Sequence, residues 1–111
     1  MGEQYSLDNA WEHARRRLTL LEELYDHITI RSLERVGVKP GWRCLEVGPG
    51  AGSITRWLCE RTGPTGQVVT VDLDTRFVDE LAATEDTLEV HQQDIVADGL
   101  PGGEYDLIHA R

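Results

Sequence analysis

The stretch Cys44-Leu45-Glu46-Val47-Gly48-Pro49-Gly50-Ala51-Gly52-Ser53 limits the possible folds more than any other. Leu45 and Val47 lie in a short apolar run, as a central parallel strand requires, and Glu46 closes that run with a carboxylate. Three glycines at alternate positions let the backbone bend sharply and approach a ligand closely, because no Cβ stands in the way. Ser53 to Arg61 has helical character, so its free N–H groups and positive dipole end point back at the turn. A strand, a glycine turn and a helix in this order suit an anionic or zwitterionic small molecule. A dinucleotide fingerprint reads G-x-G-x-x-G or A. Here Gly48 and Gly50 fit it, but the last position falls on Ser53 and the third glycine comes one place early, at Gly52. The pattern is E-x-G-x-G-x-G.

The surrounding chain reads as α/β. Trp42 to Val47 is the first strand, and the helix after the turn carries Ile54, Trp57 and Leu58 on its apolar side until Gly63-Pro64 ends it. Gln67 to Asp72 is a β-branched run and the second parallel strand. Strand, helix and strand within about thirty residues form a right-handed βαβ unit. Asp74 or Thr75 caps the next helix, with Phe77, Val78, Leu81 and Ala82 facing inward. Leu88 to His91 is a third strand, Pro101-Gly102-Gly103 a turn, and Tyr105 to Ala110 a fourth strand. The expected fold is therefore a Rossmann-like, doubly wound parallel sheet of about four strands.

Ahead of the sheet, residues 1–9 read as a polar arm and two helices follow. From Asn9 to Tyr25, Trp11, Ala14, Leu18, Leu21 and Tyr25 recur at three- and four-residue steps and form one face. Arg15, Arg16 and Arg17 read as a solvated face partnered by Glu12, Glu22 and Glu23. A second helix runs from about Asp26 to Val36, with Gly37 as its C′ residue. This helical pair packs beside the sheet, either simply against it or folded over the ligand as a cap. The domain division is then 1–36 and 37–111.

With 111 residues the chain suits one small domain. A formal net charge of −9 argues against nucleic-acid phosphates or an anionic membrane as a partner. No apolar run approaches the ~20 residues of a membrane span, and the polar start lacks signal-peptide organisation. Met1 to Ser6 fits the loose N-myristoylation pattern, but no polybasic patch adds a second membrane signal, so a cytoplasmic protein is expected. Cys44 and Cys59 read as reduced, buried thiols, and no metal-ligand spacing is present.

On Glu46, Gly48, Gly50 and Gly52 the chain resembles motif I of the class I S-adenosylmethionine-dependent methyltransferases. The likeness runs over residues 37–111, through Leu45–Thr55, Val68–Asp74, Asp94-Ile95 and Tyr105–Arg111, and Tyr5–Val36 resembles the leader of small-molecule members. It implies S-adenosyl-L-methionine as cofactor and methyl transfer to a small-molecule acceptor. Asp72, twenty residues beyond Gly52 at the end of the second strand, suits a ribose diol on spacing alone. The resemblance adds Leu73 against the adenine, Asp94 on the adenine amino group and the Ile95 backbone on a ring nitrogen. Glu46 has two readings, direct contact with the cofactor ammonium or acceptance of hydrogen bonds from the glycine-turn amides. His109, at the end of the fourth strand, falls where the family often contacts the methionine part or the acceptor. It reads otherwise as structural or as a general base, and no catalytic residue is identified. The family's sheet has seven strands, so four strands imply a truncated enzyme, a silent cofactor-binding or assembly module, or a site completed by a partner. The fourth strand, with Leu107 and Ile108, becomes an exposed edge that invites homodimerisation. A nicotinamide oxidoreductase is the weakest alternative, because of Ser53 and the glycine spacing.

Overall fold

The structure, a computed structural model, describes the backbone of residues 2–111 and the side chains from Asn9 onward. Four strands make one parallel sheet: β1 (Arg43–Val47), β2 (Gln67–Asp72), β3 (Leu88–Gln92) and β4 (Leu107–Ala110), in the order β3-β2-β1-β4. The order reverses between β1 and β4, so the carboxyl ends of those two strands flank the crevice where α/β sheets bind ligands. Four helices accompany the sheet among the described residues: α1 (Gly2–Val36), α2 (Ser53–Thr62), α3 (Arg76–Ala82) and α4 (Ile95–Asp98).

The sheet alternates as the strand period demands. Cys44, Val68 and Leu88 face the side where Leu33 of α1, Ile54, Leu58 and Cys59 of α2 and Leu81 of α3 complete a core. Leu45, Val69 and Val71 point the other way and pack with Val47 and Tyr105. Because both faces are used, the four middle residues of β2, Val68 to Val71, are all buried, which explains its unbroken β-branched run. Gly66, before β2, lies so close to its neighbours that a Cβ there would stand 2.7 Å from the Thr62 carbonyl oxygen and 2.8 Å from that of Trp42.

The helical pair expected before the sheet is one helix of 35 residues. No glycine or proline stands between Gly2 and Gly37, so nothing in Tyr25-Asp26-His27 interrupts the hydrogen-bond ladder. The polar arm expected over residues 1–9 is helical from Gly2, and Met1 lies outside the described residues. The Met1–Ser6 acylation pattern likewise falls on side chains outside that range. The helix ends as expected: Gly37, at φ 86°, donates its N–H to the Leu33 carbonyl.

The inward face of α1 also differs from the expected one. Trp11, Ala14 and Leu18 do turn toward the domain, but the stripe continues through Glu22, Asp26, Thr29, Ile30 and Leu33. Leu21 and Tyr25 are 42% and 50% exposed. A straight helix advances 100° per residue, so steps of three or four drift, and buried contacts with polar groups set the face here. Arg15 lies over the Trp11 ring at 5.4 Å and reaches Glu80 at 3.9 Å, in place of the expected glutamates. Trp11 itself stacks on Phe77 of α3, with ring centroids 5.5 Å apart.

Leu107 at the β4 edge is half-buried and packs on the core, whereas Ile108 on the opposite face is 56% exposed. The expectation of an uncovered pair therefore holds for Ile108 alone. Arg43 fastens this edge: its backbone N–H donates to Asp106 Oδ2 at 2.8 Å and its guanidinium sits 4.2 Å from the Tyr105 ring centre.

Candidate functional site

All four strands run the same way, so their carboxyl ends share one rim, and the sequence-predicted residues lie along it. At the end of β1 the chain enters the glycine turn with Gly48, Gly50 and Gly52 at φ 68°, 61° and 92°. Side chains other than glycine are strained in this region. Gly52 is also cramped, since a Cβ there would meet Val78 Cγ1 at 3.1 Å. The turn is held from beneath by Gly48 N–H, which donates to the Val71 carbonyl at 2.9 Å.

Glu46 takes no hydrogen bond from the glycine-turn amides among the described residues. It is 2% exposed and lies under the turn. Its Oε1 accepts from Thr55 Oγ1 at 2.5 Å, and its Oε2 lies 3.2 Å from His109 Nδ1. The strand register explains the pairing: Glu46 and His109 are opposite one another on β1 and β4, on the same face. A carboxylate this buried needs hydrogen bonds and a compensating charge, and an imidazole carrying Nδ1–H supplies the first and, once protonated, the second. His109 is therefore not a lone histidine. No sequence motif announces this, because Glu46 and His109 are 63 residues apart and meet only through strand pairing.

At the end of β2, Asp72 Oδ1 accepts from the Leu73 N–H at 2.7 Å. Its Oδ2 takes no hydrogen bond from the described residues, so one lone-pair edge of this half-buried carboxylate is open. Leu73 is 67% exposed beside it, and the Gln92 side-chain amide donates to the Leu73 carbonyl at 3.0 Å. Asp94 is the N-cap of α4: its Oδ1 accepts from Val96 and Ala97 N–H at 2.9 and 3.4 Å. The short α4 was not anticipated, although Asp ahead of Ile95-Val96 is a capping signal. Ile95 is 40% exposed at the helix start. Asp74, beyond Asp72, pairs with Arg76, whose guanidinium holds its carboxyl below the usual carboxylate range.

Beside the turn, on the β1–β4 side, lies a cavity of about 520 Å³. One wall is α1, with Leu18, Leu21, Glu22, Tyr25, Ile28 and Thr29. The other is Gly48 to Ala51, and Arg111 closes the β4 end. Two polar contacts tie α1 across it. Glu22 Oε2 accepts from Ser53 N–H at 2.9 Å, at the first turn of α2, and Arg111 Nη1 donates to Asp26 Oδ1 and Thr29 Oγ1, both at 3.0 Å. Sequence reasoning missed Glu22, Tyr25, Ile28 and Arg111 as site residues. They sit on helical or terminal positions whose direction is fixed only by tertiary contact. Of the predicted residues, Gly48 and Gly50 line the cavity, while Asp72, Leu73, Asp94 and Ile95 lie along the rim toward β2 and β3.

The profile of the methyltransferase-domain family matches residues 44–111, more than half of the chain. The chain belongs to the class I S-adenosylmethionine-dependent methyltransferase family. Membership implies S-adenosyl-L-methionine as cofactor. The chain is 41% identical over 54 residues to the ubiquinone/menaquinone biosynthesis C-methyltransferase of Ectopseudomonas mendocina, covering 49% of this chain and 20% of that protein. It is 35% identical over 89 residues to the ribosomal RNA small subunit methyltransferase A of Geobacter metallireducens, covering 70% of this chain and 30% of that protein. It therefore spans less than a third of the length of either. In fold it resembles a SAM-dependent methyltransferase from Aquifex aeolicus, with a TM-score of 0.68 at 24% identity over 86% of this chain and 55% of that one. The parallel four-stranded sheet of order 3-2-1-4 is thus the methyltransferase half-sheet. No described helix is long and apolar enough to cross a membrane, and the described residues hold no cluster of potential metal ligands.

Proposed function

We propose that this chain is the cofactor-binding portion of an S-adenosyl-L-methionine-dependent methyltransferase acting on a small-molecule acceptor. In this reading residues 37–111 bind the cofactor and residues 1–36 cap it. The observation that carries it is the open Oδ2 of Asp72 on the same rim as the three positive-φ glycines. A ribose diol needs such an acceptor, and the glycine turn offers backbone without Cβ atoms to a zwitterion. These features fit the group that the family uses. When bound, it supplies a methyl on a sulfonium, a donor already activated.

The remaining roles belong to this chain's residues. Asp72 accepts from the ribose hydroxyls, and Leu73 and Ile95 flank the adenine. Asp94 keeps Oδ2 for the adenine amino group, while its Oδ1 caps α4. Gly48, Gly50 and Gly52 bring backbone to the methionine part. Glu46 acts through His109, holding the ring by its Nδ1 so that Nε2 turns away from the carboxylate. Alignment of methyl, acceptor and leaving sulfur is then a matter of positioning.

A net charge of −9 supports a small molecule over RNA, since phosphates bind cationic surfaces. The ribosomal RNA relative favours the other reading. The cytoplasm suits two free, buried cysteines, and the exposed β4 edge at Ile108 suits a second copy of the chain. Calorimetry with S-adenosylhomocysteine tests the cofactor reading. One-to-one binding is expected, about tenfold to a hundredfold weaker in Asp72→Ala at unchanged thermal stability. Equal binding by the variant would remove Asp72 from the site. Binding of NAD in place of S-adenosylhomocysteine would replace the reading with an oxidoreductase, and binding of neither would favour a silent module.

A further inference from the structure

We infer that the cavity between α1 and the glycine turn takes a neutral acceptor with an apolar, ring-sized body and one hydrogen-bond donor aimed at Glu22. The inference rests on the methyltransferase reading of the site and adds the chemical class of its acceptor. The cavity, at about 520 Å³, falls in the range of small-molecule sites. It opens on the β1–β4 side of the turn, away from Asp72 and Asp94, so it is left for the methionine end and the acceptor.

Its α1 wall is apolar at Leu18, Leu21, Tyr25 and Ile28. The last three follow at four and three residues and are 42%, 50% and 54% exposed. They form a stripe that gains from being covered by an apolar body.

The charges on the wall are already matched. Arg111 is paired with Asp26, and Glu22 Oε2 rests on the Ser53 N–H, where the α2 dipole offsets its charge. Among the described residues, the cavity lining holds no unpaired cation to compensate an acceptor anion. Glu22 Oε1 is different: it takes no hydrogen bond from the described residues and belongs to a side chain lining the cavity. A carboxylate oxygen can only accept, so the acceptor molecule must donate.

The test is an amide-shift titration of the isotope-labelled chain with three probes: 2-naphthol, 2-methoxynaphthalene and 2-naphthoate. Saturable shifts with 2-naphthol are expected at Leu21–Thr29 and Gly48–Ala51. The methoxy probe, which cannot donate, binds about fivefold more weakly, and the carboxylate more weakly still. Ile28→Glu, at a position more than half exposed, weakens 2-naphthol by about tenfold, and Tyr25→Ala serves as the second variant. Absence of saturable shifts, equal affinity for the methoxy probe, preference for naphthoate, or indifference to both variants would overturn the inference. Calorimetry with S-adenosylhomocysteine separates the two readings. Cofactor binding without a naphthol response sinks the acceptor class alone, and a naphthol response without cofactor binding sinks the methyltransferase reading on which it rests.

Discussion

Glu46 and His109 give the sharpest energetic prediction, because one is almost fully buried and each is the other's partner across two strands. The side chains of Glu46 and His109 are 3% and 16% exposed. In His109→Leu the carboxylate keeps only Thr55 Oγ1 as a partner, which should cost about 3 kcal/mol. In Glu46→Leu the carboxylate is gone, but Thr55 Oγ1 and His109 Nδ1 lose their acceptor, which should cost about 2 kcal/mol. The double variant leaves only the Thr55 hydroxyl unsatisfied and gains apolar packing, so it should be no worse than His109→Leu alone. The coupling between the two positions is then about 2 kcal/mol. Urea unfolding followed by tryptophan fluorescence measures all four proteins, with a common slope required for comparison. Additivity to within about 0.5 kcal/mol would refute the reasoning, since it would mean that the two side chains do not depend on each other.

Other expectations follow from the packing. Gly66→Ala should destabilise by about 1–3 kcal/mol in the same urea assay, because its Cβ meets two backbone carbonyls that cannot move aside. Burial pushes the Cys44 thiol up to about 11 and the Cys59 thiol up to about 12, with the charges of Asp106 and Glu85 respectively adding to the effect. Alkylation at pH 8 should therefore run at least about a hundredfold slower in the folded chain than in urea. Raised thiol values also mean that the unfolded chain ionises first. Their stabilising share is complete below about pH 9, the usual thiol value, and is lost between there and about pH 12; a urea midpoint that does not fall from pH 8 to pH 10.5 would contradict this. Light scattering should show self-association that Ile108→Lys weakens, and a monomer at all concentrations would count against pairing at the β4 edge.

Much of the fold is legible in the residues. Gln67-Val-Val-Thr-Val-Asp72 marks β2 to the residue, since a short β-branched run without polar alternation is the pattern of a strand buried on both faces. The positive φ of Gly48, Gly50 and Gly52 follows from their spacing ahead of an apolar helix. What stays hidden depends on contacts between distant segments. The break expected near Asp26 does not exist, because no glycine or proline stands there and the Asp26 carboxylate accepts from Arg111 instead of capping a new helix. The inward turn of Glu22 cannot be read from periodicity, since it answers to the Ser53 amide 31 residues away. The role of Arg111 likewise appears only when β4 pairs with β1 and carries it under α1.

The long first helix touches the domain at widely separated places. Trp11 stacks on Phe77 near the β3 side, Glu22 meets the start of α2, and Asp26 holds Arg111 at the far edge. Its firmest anchor is Leu33, buried in the core, so the rod is held at that end and freest at Trp11. Trp11 and Leu33 are 22 residues apart, about 33 Å along the axis, and Glu22 lies half-way between them. A tilt of about 5° about Leu33 would move the Trp11 end by about 3 Å and Glu22 by about 1.5 Å in the same sense. A shift of α3 at one end of the rim would thus reach the cavity wall at Glu22 at about half its size.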